Sequence, residues 1–382
     1  MLEKHQFLSD FLAQKTLFYT KIEYETIKKS WEILSQYIKL PYVIHIVGTN
    51  GKGTTGRFIA TCLHQQKQQV LHYTSPHILK FNERIWLNGD NVADEMLEES
   101  HQNILKILPK DLLDNLTYFE YTTLVAIYLS SGFDFIVLEA GLGGEFDATN
   151  VVKNNITVVP SIGLDHQDFL GHTIVDIAST KLRSCDENYI FGENFDTEVL
   201  KLKNTILQDR TEIQFRDNLV FKSDKILPKY IASNAALALS VINYLGFYDD
   251  DLVLEVLEGR CQKIAKNITI DVGHNPLAAN VILEEFKNKK ITLIYNSYKD
   301  KDFMEILTIL KPIINKILII KCEDERMVDI NILYSVIKDL SIKVDNYSPK
   351  MLNNNEEYLI FGSFKVVETF LSSFPTTGYI EG

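Results

Sequence analysis

The stretch HIVGTNGKGTTGRFIATC, from His45 to Cys62, constrains the fold more than any other part of the chain. It begins with the β-branched and aromatic residues of a short strand and passes through three glycines into a segment with helical periodicity. Gly48, Gly51 and Gly53 allow a tight turn in which backbone N–H groups and the positive end of the next helix face an anion. The stretch therefore predicts a strand, a phosphate-binding loop and a helix.

Two side chains of this loop are suited to nucleotide phosphates. The ammonium group of Lys52 matches the outer phosphates, and the hydroxyl of Thr54 or Thr55 lies where a magnesium ion bridging them would bind. The spacing departs from the common G-x-x-x-x-G-K-[ST] loop, because Ile46 stands at its first glycine and Gly53 separates lysine from threonine. The alternative is a glycine-rich turn with its lysine in solvent.

The loop resembles that of the Mur ligase superfamily, whose members join an amino acid to a carboxylate using ATP. The resemblance assigns ATP contacts to the loop residues Gly48, Thr49, Asn50, Gly51, Lys52, Gly53 and Thr54. A magnesium ion would be held by Thr54, and Lys52 would act in catalysis.

A second segment, SPHILKFNERI, resembles the folate-binding segment of folylpolyglutamate and dihydrofolate synthases. The resemblance implies substrate contacts for Ser75, His77, Asn82, Glu83 and Arg84. Taken alone, the segment is equally consistent with a solvated connection that contains an ordinary ion pair.

Composition bounds the number of domains and the class of partner. With 382 residues and 46% hydrophobic content, the chain is long enough for two domains. The formal charge of −12 argues against a nucleic-acid surface, so we expect small-molecule substrates only. The four cysteines lack C-x-x-C spacing, which favours reduced thiols in a cytoplasmic protein. We expect no secretory signal, no membrane span and a monomer.

The apolar run FDFIVLEA ends in a carboxylate, Glu139. In a doubly wound sheet, ligands bind at the carboxyl ends of the strands, where such an acid can hold magnesium. The next segment, GLGGEFDATNV, resembles the family pattern G-L-G-G-R-L-D-A-T-N, with Glu145 in place of arginine and Phe146 in place of leucine. The resemblance places Asp147 at the substrate.

Two further residues are predicted at the metal. His166 follows a strand predicted at residues 156–162, and its G-L-D-H motif resembles the one that carries a metal-binding histidine in folate ligases. Lys181 lies on the apolar face of a helix predicted at residues 173–182. In the family its position belongs to E-K-A-G-I, whose lysine is carbamylated and binds a second magnesium, whereas this chain has TKLRS. The resemblance makes both residues catalytic.

The remaining motifs point to the nucleotide and to a second domain. Ser233 and Asn234 are predicted as helix caps, and the resemblance puts Asn234 beside adenine. Arg260 resembles the arginine of a family P-G-R motif that reaches the ATP phosphates, with Glu258 in place of the proline. Asp271 and His274 resemble the motif D-G-A-H-N-P, with Val272 and Gly273 as substitutions. Strands and helices alternate again from residue 267.

These observations predict an N-terminal P-loop ATPase-like doubly wound α/β domain, followed by a smaller Rossmann-like α/β domain. We place the first domain, for ATP and folate, at residues 1–262, the hinge at 261–266 and the second domain, with glutamate and ATP contacts, at 267–382. The resemblance implies a ligase with ATP and Mg²⁺ that adds L-glutamate to dihydropteroate or to the glutamate tail of reduced folates through an acyl phosphate.

Two alternatives remain open at this point. A ligase of cell-wall precursors shares the loop and the reaction, but it would need a further N-terminal domain for its UDP-linked substrate. A nucleotide-dependent switch could use the same loop without ligation. The acid, histidine and lysine predicted at one sheet edge favour an enzyme.

Overall fold

The computed structural model describes residues 6–17, 24–223 and 227–374. The chain divides into two compact units. Unit 1 comprises residues 1–227 and 231–255, and unit 2 comprises residues 228–230 and 256–382.

Unit 1 is built on one eight-stranded sheet. Its strands are β1 (Tyr42–Ile46), β2 (Val70–Tyr73), β3 (Ile85–Leu87), β4 (Asp90–Asn91), β5 (Phe135–Glu139), β6 (Ile156–Val159), β7 (Asn188–Phe191) and β8 (Thr211–Glu212). The strand order is β4-β3-β2-β5-β1-β6-β7-β8, with β3 and β4 antiparallel at one edge and the other strands parallel. Strand β1 lies between β5 and β6, which explains its apolar sequence.

The helices of the first part of the chain cover this sheet. They are α1 (Leu8–Ala13), α2 (Tyr24–Leu34), α3 (Lys52–Gln65), α4 (Asp94–Ile107), α5 (Lys110–Asn115), α6 (Tyr118–Leu129), α7 (Gln167–Leu170), α8 (Ile174–Leu182), α9 (Thr197–Ile206) and α10 (Lys229–Tyr244). Leu71 and Tyr73 of β2 belong to the core formed with α1, α2, α4 and α6. His72 between them faces α3, where an added Cβ on Gly56 would lie 2.4 Å from its Nε2. Both faces of β2 are therefore buried.

Unit 2 carries a separate six-stranded sheet. Its strands are β9 (Gln262–Ala265), β10 (Ile268–Ile270), β11 (Ile291–Tyr295), β12 (Ile314–Ile319), β13 (Lys343–Asn346) and β14 (Glu357–Phe361). The order is β13-β12-β11-β14-β10-β9, and only β9, at the edge, runs antiparallel within the described part of this sheet. Its helices are α11 (Pro276–Phe286), α12 (Phe303–Leu310), α13 (Ile330–Asp339) and α14 (Phe364–Ser373). Strand β9 occupies most of the segment that we predicted as the hinge.

Two element boundaries differ from the sequence prediction. Strand β6 ends at Val159, because Pro160 has no N–H to continue the ladder. Helix α10 begins at Lys229, directly after Pro228, so the prediction of Ser233 and Asn234 as caps is wrong. Within the described ranges, no helix combines the length and hydropathy needed to cross a membrane.

Candidate active site

The phosphate loop lies between β1 and α3 and is held by the segment that follows β6. The backbone N–H of Thr49 donates to the carbonyl of Ser161 at 2.8 Å, and its hydroxyl donates to the carbonyl of Gly163 at 3.0 Å. The N–H of Asn50 donates to the Ser161 hydroxyl at 3.0 Å. A Cβ at Gly48 would come within 2.8 Å of the Ser161 carbonyl oxygen, so this close approach requires glycine. The loop shape thus depends on residues distant in sequence.

Lys52 lies at the start of α3 and points back across the loop. Its Nζ donates to the carbonyls of Gly48 and Thr49, each at 3.3 Å. It also lies 3.9 Å from Oε1 of Glu139. The lysine therefore sits over the loop with a carboxylate as its counter-charge, and its contact with phosphates stays a prediction.

Glu139 is the last residue of β5 and is buried. Its Oε2 accepts hydrogen bonds from the Thr74 hydroxyl and, at 3.3 Å, from the backbone N–H of Ser75. Its Oε1 faces Lys52. We did not single out Thr74 from the sequence, although it directly follows β2, whose carboxyl end lies beside that of β5. That position is the signal that could have identified it.

The first turn of α3 contains two buried hydroxyl groups. Thr54 and Thr55 are at most 1% exposed, and no described residue hydrogen-bonds to either Oγ1 atom. Buried hydroxyls normally have a partner. An oxygen-preferring cation at the phosphate loop would supply that partner to one of them.

Lys181 reaches the same loop from α8. It is 4% exposed, and its Nζ donates to the carbonyl of Gly48 at 2.8 Å. Burial, together with the charge of Lys52, lowers the pKa of Lys181 to about 7. Gly144 packs on the backbone here, since an added Cβ would lie 3.0 Å from the Cα of Lys181. The lysine that the sequence placed on an apolar helix face is thus buried beside the phosphate loop.

Asp147 organises the glycine-rich loop after β5. Its carboxylate accepts from the Thr149 hydroxyl at 2.6 Å and from the backbone N–H groups of Thr149 and Leu142 at 3.0 and 2.7 Å. Because the Thr149 hydroxyl donates to Asp147, it accepts from Nε2 of His45, 2.8 Å away. Burial raises the pKa of Asp147 and lowers the pKa of His45 to about 3. The sequence did not point to this network.

Glu83 and Asn82 shape the predicted folate segment through contacts with its backbone and with its neighbours. The carboxylate of Glu83 accepts from the backbone N–H groups of Ile78, Leu79 and Lys80 at 2.6 to 2.9 Å. The amide of Asn82 donates to the carbonyl of Val92 at 2.8 Å. Both predicted substrate residues are engaged within the protein.

Arg84 and His77 lie in the same segment and contact each other. Nε of Arg84 donates to Nδ1 of His77 at 2.8 Å, and its guanidinium lies 5.3 Å from the ring centre of Tyr118. Burial and the positive charge of Arg84 lower the pKa of His77 to about 4. Tyr118, which we did not predict, therefore belongs with these residues.

His166 is less closely tied to the site than we expected. It lies seven residues beyond the end of β6, is exposed, and precedes α7 in the left-handed conformation with φ 51°. The prediction that it stands at the strand tip is wrong, because β6 stops before Pro160. In the described parts of the chain, no three His, Cys, Asp or Glu side chains are arranged to hold a metal ion.

Asn234 is brought to the phosphate loop by α10. It is 9% exposed, and an added Cβ on Gly51 would lie 2.6 Å from its Oδ1. The amide thus lies against the turn of the loop, where Gly51 has a φ of 84°. The predicted nucleotide residue is next to the loop even though it does not cap its helix.

Unit 2 groups the other three predicted nucleotide residues. Asp271 is buried and accepts from the Tyr230 hydroxyl at 3.1 Å and from the N–H of Cys261 at 2.9 Å. Burial raises its pKa, and the charge of Arg260 opposes that rise. His274 follows, with Nδ1 3.0 Å from the carbonyl oxygen of Val272.

Known proteins resemble this chain in sequence and in structure. No family model matches it. It is 33% identical over 340 residues to the dihydrofolate synthase/folylpolyglutamate synthase of Haemophilus influenzae, covering 76% of this chain and 77% of the relative. The chain belongs to the dihydrofolate synthase/folylpolyglutamate synthase family.

Solved structures agree with this assignment. The Helicobacter pylori folylpolyglutamate synthetase is 34% identical, with a TM-score of 0.75 over 96% of this chain and 97% of that one. A bifunctional folylpolyglutamate synthase/dihydrofolate synthase with Mn, AMPPNP and L-glutamate bound shares the fold, with a TM-score of 0.80, 23% identity and coverage of 96% and 98%. The predicted family, fold class and ATP-dependent ligase activity are confirmed.

Proposed function

We propose that this folate-family ligase adds L-glutamate to dihydropteroate, to the glutamate tail of reduced folates, or to both. The observation that carries the proposal is the convergence of Lys52, Glu139 and Lys181 on one phosphate loop. A buried acid and a second buried lysine beside the loop favour an enzyme over a nucleotide-dependent switch. Family membership favours a folate substrate over a cell-wall precursor.

The residues at the loop fit a magnesium ion. A buried hydroxyl without a described partner, on Thr54, and a buried carboxylate, on Glu139, are oxygen ligands of the kind that Mg²⁺ prefers. These two residues would hold the ion, which would supply positive charge at the ATP phosphates. A second ion held by His166 and Lys181 would require the lysine to become a carbamate, because its amine now donates to a carbonyl.

The loop and its lysine account for the first step. Backbone N–H groups of the loop other than those of Thr49 and Asn50, which donate to Ser161, would bind the phosphates. Lys52 would offset negative charge as the substrate carboxylate takes the γ-phosphoryl group. The α-amine of glutamate then attacks the acyl phosphate, and phosphate leaves as the amide forms.

The other predicted contacts remain part of the proposal. Ser75, His77, Arg84 and Asp147 would contact the folate, within a segment shaped by Glu83 and Asn82. Asn234 would lie near adenine, supported by its contact with Gly51. ATP contacts of Arg260, Asp271 and His274 rest on their motifs and on their grouping within unit 2.

The test is ATP hydrolysis by the full chain with dihydropteroate, tetrahydrofolate or a UDP-muramoyl acid, each with and without L-glutamate. We expect phosphate release only when a folate-type acid and L-glutamate are both present. If phosphate were released with the UDP-muramoyl acid and with neither dihydropteroate nor tetrahydrofolate, the proposal would be wrong and the protein would be a ligase of cell-wall precursors. Light scattering tests the expected monomer, and fractionation of the source cells tests the expected cytoplasmic location.

A further inference from the structure

Phe146 is an unusual side chain for its position. It follows the glycine-rich turn after β5 and immediately precedes the buried Asp147, yet 52% of its surface is exposed. Isolated exposed apolar residues are common on protein surfaces. This one is at the carboxyl edge of a parallel sheet, where ligands bind in folds of this type.

The loop that carries Phe146 is fixed on both sides of it. The backbone N–H of Glu145 donates to the carbonyl of Thr180 at 2.8 Å, and the Glu145 carboxylate pairs with Arg183 at 3.3 Å. The amide of Asn150 donates to the Glu145 carbonyl at 3.0 Å. The Phe146 ring is therefore exposed even though the loop that carries it is fixed by hydrogen bonds and an ion pair.

The ring is also braced by a second aromatic residue. Tyr24, at the start of α2, meets Phe146 edge to face, with ring centres 6.1 Å apart and an angle of 74° between the planes. Tyr24 is half-buried, and burial, followed by the charges of Asp147 and Asp186, raises its pKa. The Tyr24 ring thus contacts Phe146 while about half of the Phe146 surface stays exposed.

The neighbouring loops at this sheet edge are also apolar at their tips. Leu79, after β2, is 52% exposed, and Leu164, after β6, is 49% exposed. Strands β2, β5 and β6 run parallel, so the loops that carry Leu79, Phe146 and Leu164 leave the same edge. Exposed apolar side chains on loops at the edge that also carries the polar site suit a planar aromatic ligand with a charged end.

We propose that Phe146, braced by Tyr24, is a specificity-determining residue that binds the aromatic part of the pteroyl substrate. This inference rests on the proposed function and deepens it. The open face of the Phe146 ring packs on the planar ring system, and the loop anchored by Glu145 holds it in place. Leucine, the usual residue of the family pattern, offers apolar contact without a ring face.

Two measurements test the role of Phe146. In the full-length enzyme, Phe146→Ala should raise the dissociation constant for pteroic acid and the KM for dihydropteroate by about two- to tenfold. Its KM values for ATP and L-glutamate should not change. Phe146→Leu should fall between alanine and wild type. Because Phe146 is exposed, we expect both variants to fold, and thermal unfolding measurements check this.

Tyr37 provides a matched control, because it is an aromatic residue that is 62% exposed and precedes β1 at the opposite edge of the sheet. Tyr37→Ala should leave pteroic acid binding unchanged. Equal effects of the Tyr37 and Phe146 substitutions, or no effect of Phe146→Ala, would overturn the inference. So would a parallel rise in all three KM values.

These measurements can reject the proposed function and the proposed role of Phe146 independently of each other. If wild-type enzyme binds pteroic acid but releases no phosphate with L-glutamate and either dihydropteroate or tetrahydrofolate, the proposed function is wrong, while the binding comparison still decides the role of Phe146. If wild-type enzyme does not bind pteroic acid, this inference is overturned as well.

Discussion

Replacement of Lys181 is the perturbation with the most specific expected outcome. Its amine is buried and donates to the Gly48 carbonyl. The predicted reaction of this amine is attack on carbon dioxide, in which a C–N bond forms and one proton is released. The resulting carbamate is an anion, so the modification reverses the charge of Lys181 beside Lys52.

The structure sets the scale of the effect. A fall of the Lys181 pKa from 10.5 to about 7 corresponds to roughly 5 kcal/mol in favour of the neutral amine. At pH 7 about half of the Lys181 side chains would be neutral, against about one in 3,000 for an ordinary lysine. The reactive population therefore rises as the pH increases through about 7.

Phosphate release with dihydropteroate and L-glutamate, measured between pH about 6 and about 9, provides the assay. Lys181→Ala should lower kcat by at least about a hundredfold, with partial recovery when a short carboxylic acid is added. Lys181→Arg should be equally impaired, because arginine stays protonated and cannot form the carbamate. Lys153→Ala, at an exposed lysine of unit 1, should behave as wild type.

Isotopically labelled bicarbonate gives an independent measurement, because the carbamate carbon has its own magnetic resonance signal. The signal should appear in wild type and be absent from Lys181→Ala. An alanine variant with full activity, a pH profile without a rise near pH 7 and no carbamate signal would together refute the role assigned to Lys181.

Three further substitutions probe the loop and its support. Lys52→Ala should abolish turnover with unfolding unchanged, and a folded, active variant would remove the premise of phosphate binding by this residue. Glu139→Gln should raise the magnesium concentration needed for half-maximal activity, so an unchanged magnesium titration would contradict a role at the metal. Gly56→Ala should destabilise the fold by about 1–3 kcal/mol in chemical denaturation, because the new methyl would lie 2.4 Å from His72.

Much of the fold followed from short-range patterns. The run FDFIVLEA corresponds to β5, and the strand and helix predicted on either side of the phosphate loop are β1 and α3. These elements are buried and regular, so their periodicity reflects their environment directly. The end of strand β6 and the start of helix α10 differ from the prediction. Pro160 sets the first boundary and Pro228 the second, and hydrophobic periodicity does not detect either proline.

The sequence predicted the contacts within the site less completely than it predicted the fold. Lys52 and Glu139 were predictable because a motif and a strand end mark them. The hydrogen bond from Lys181 to Gly48 joins residues 133 positions apart, and no local pattern reports it. Glu83 and Asp147 carried family motifs, yet the structure shows their carboxylates committed to hydrogen bonds within their own loops. A motif identified these residues without revealing which contacts they make.

The external hydrogen bonds of the phosphate loop limit how it can be reused in protein engineering. A peptide or chimera carrying only β1, the loop and α3 would keep every motif residue. It would lack Ser161, Gly163 and Lys181, which hold the loop backbone at residues 48–50. Such a transplant should bind nucleotide poorly. A chimera that also imports the segment after β6 and helix α8 is the smallest exchange expected to carry the binding property with it.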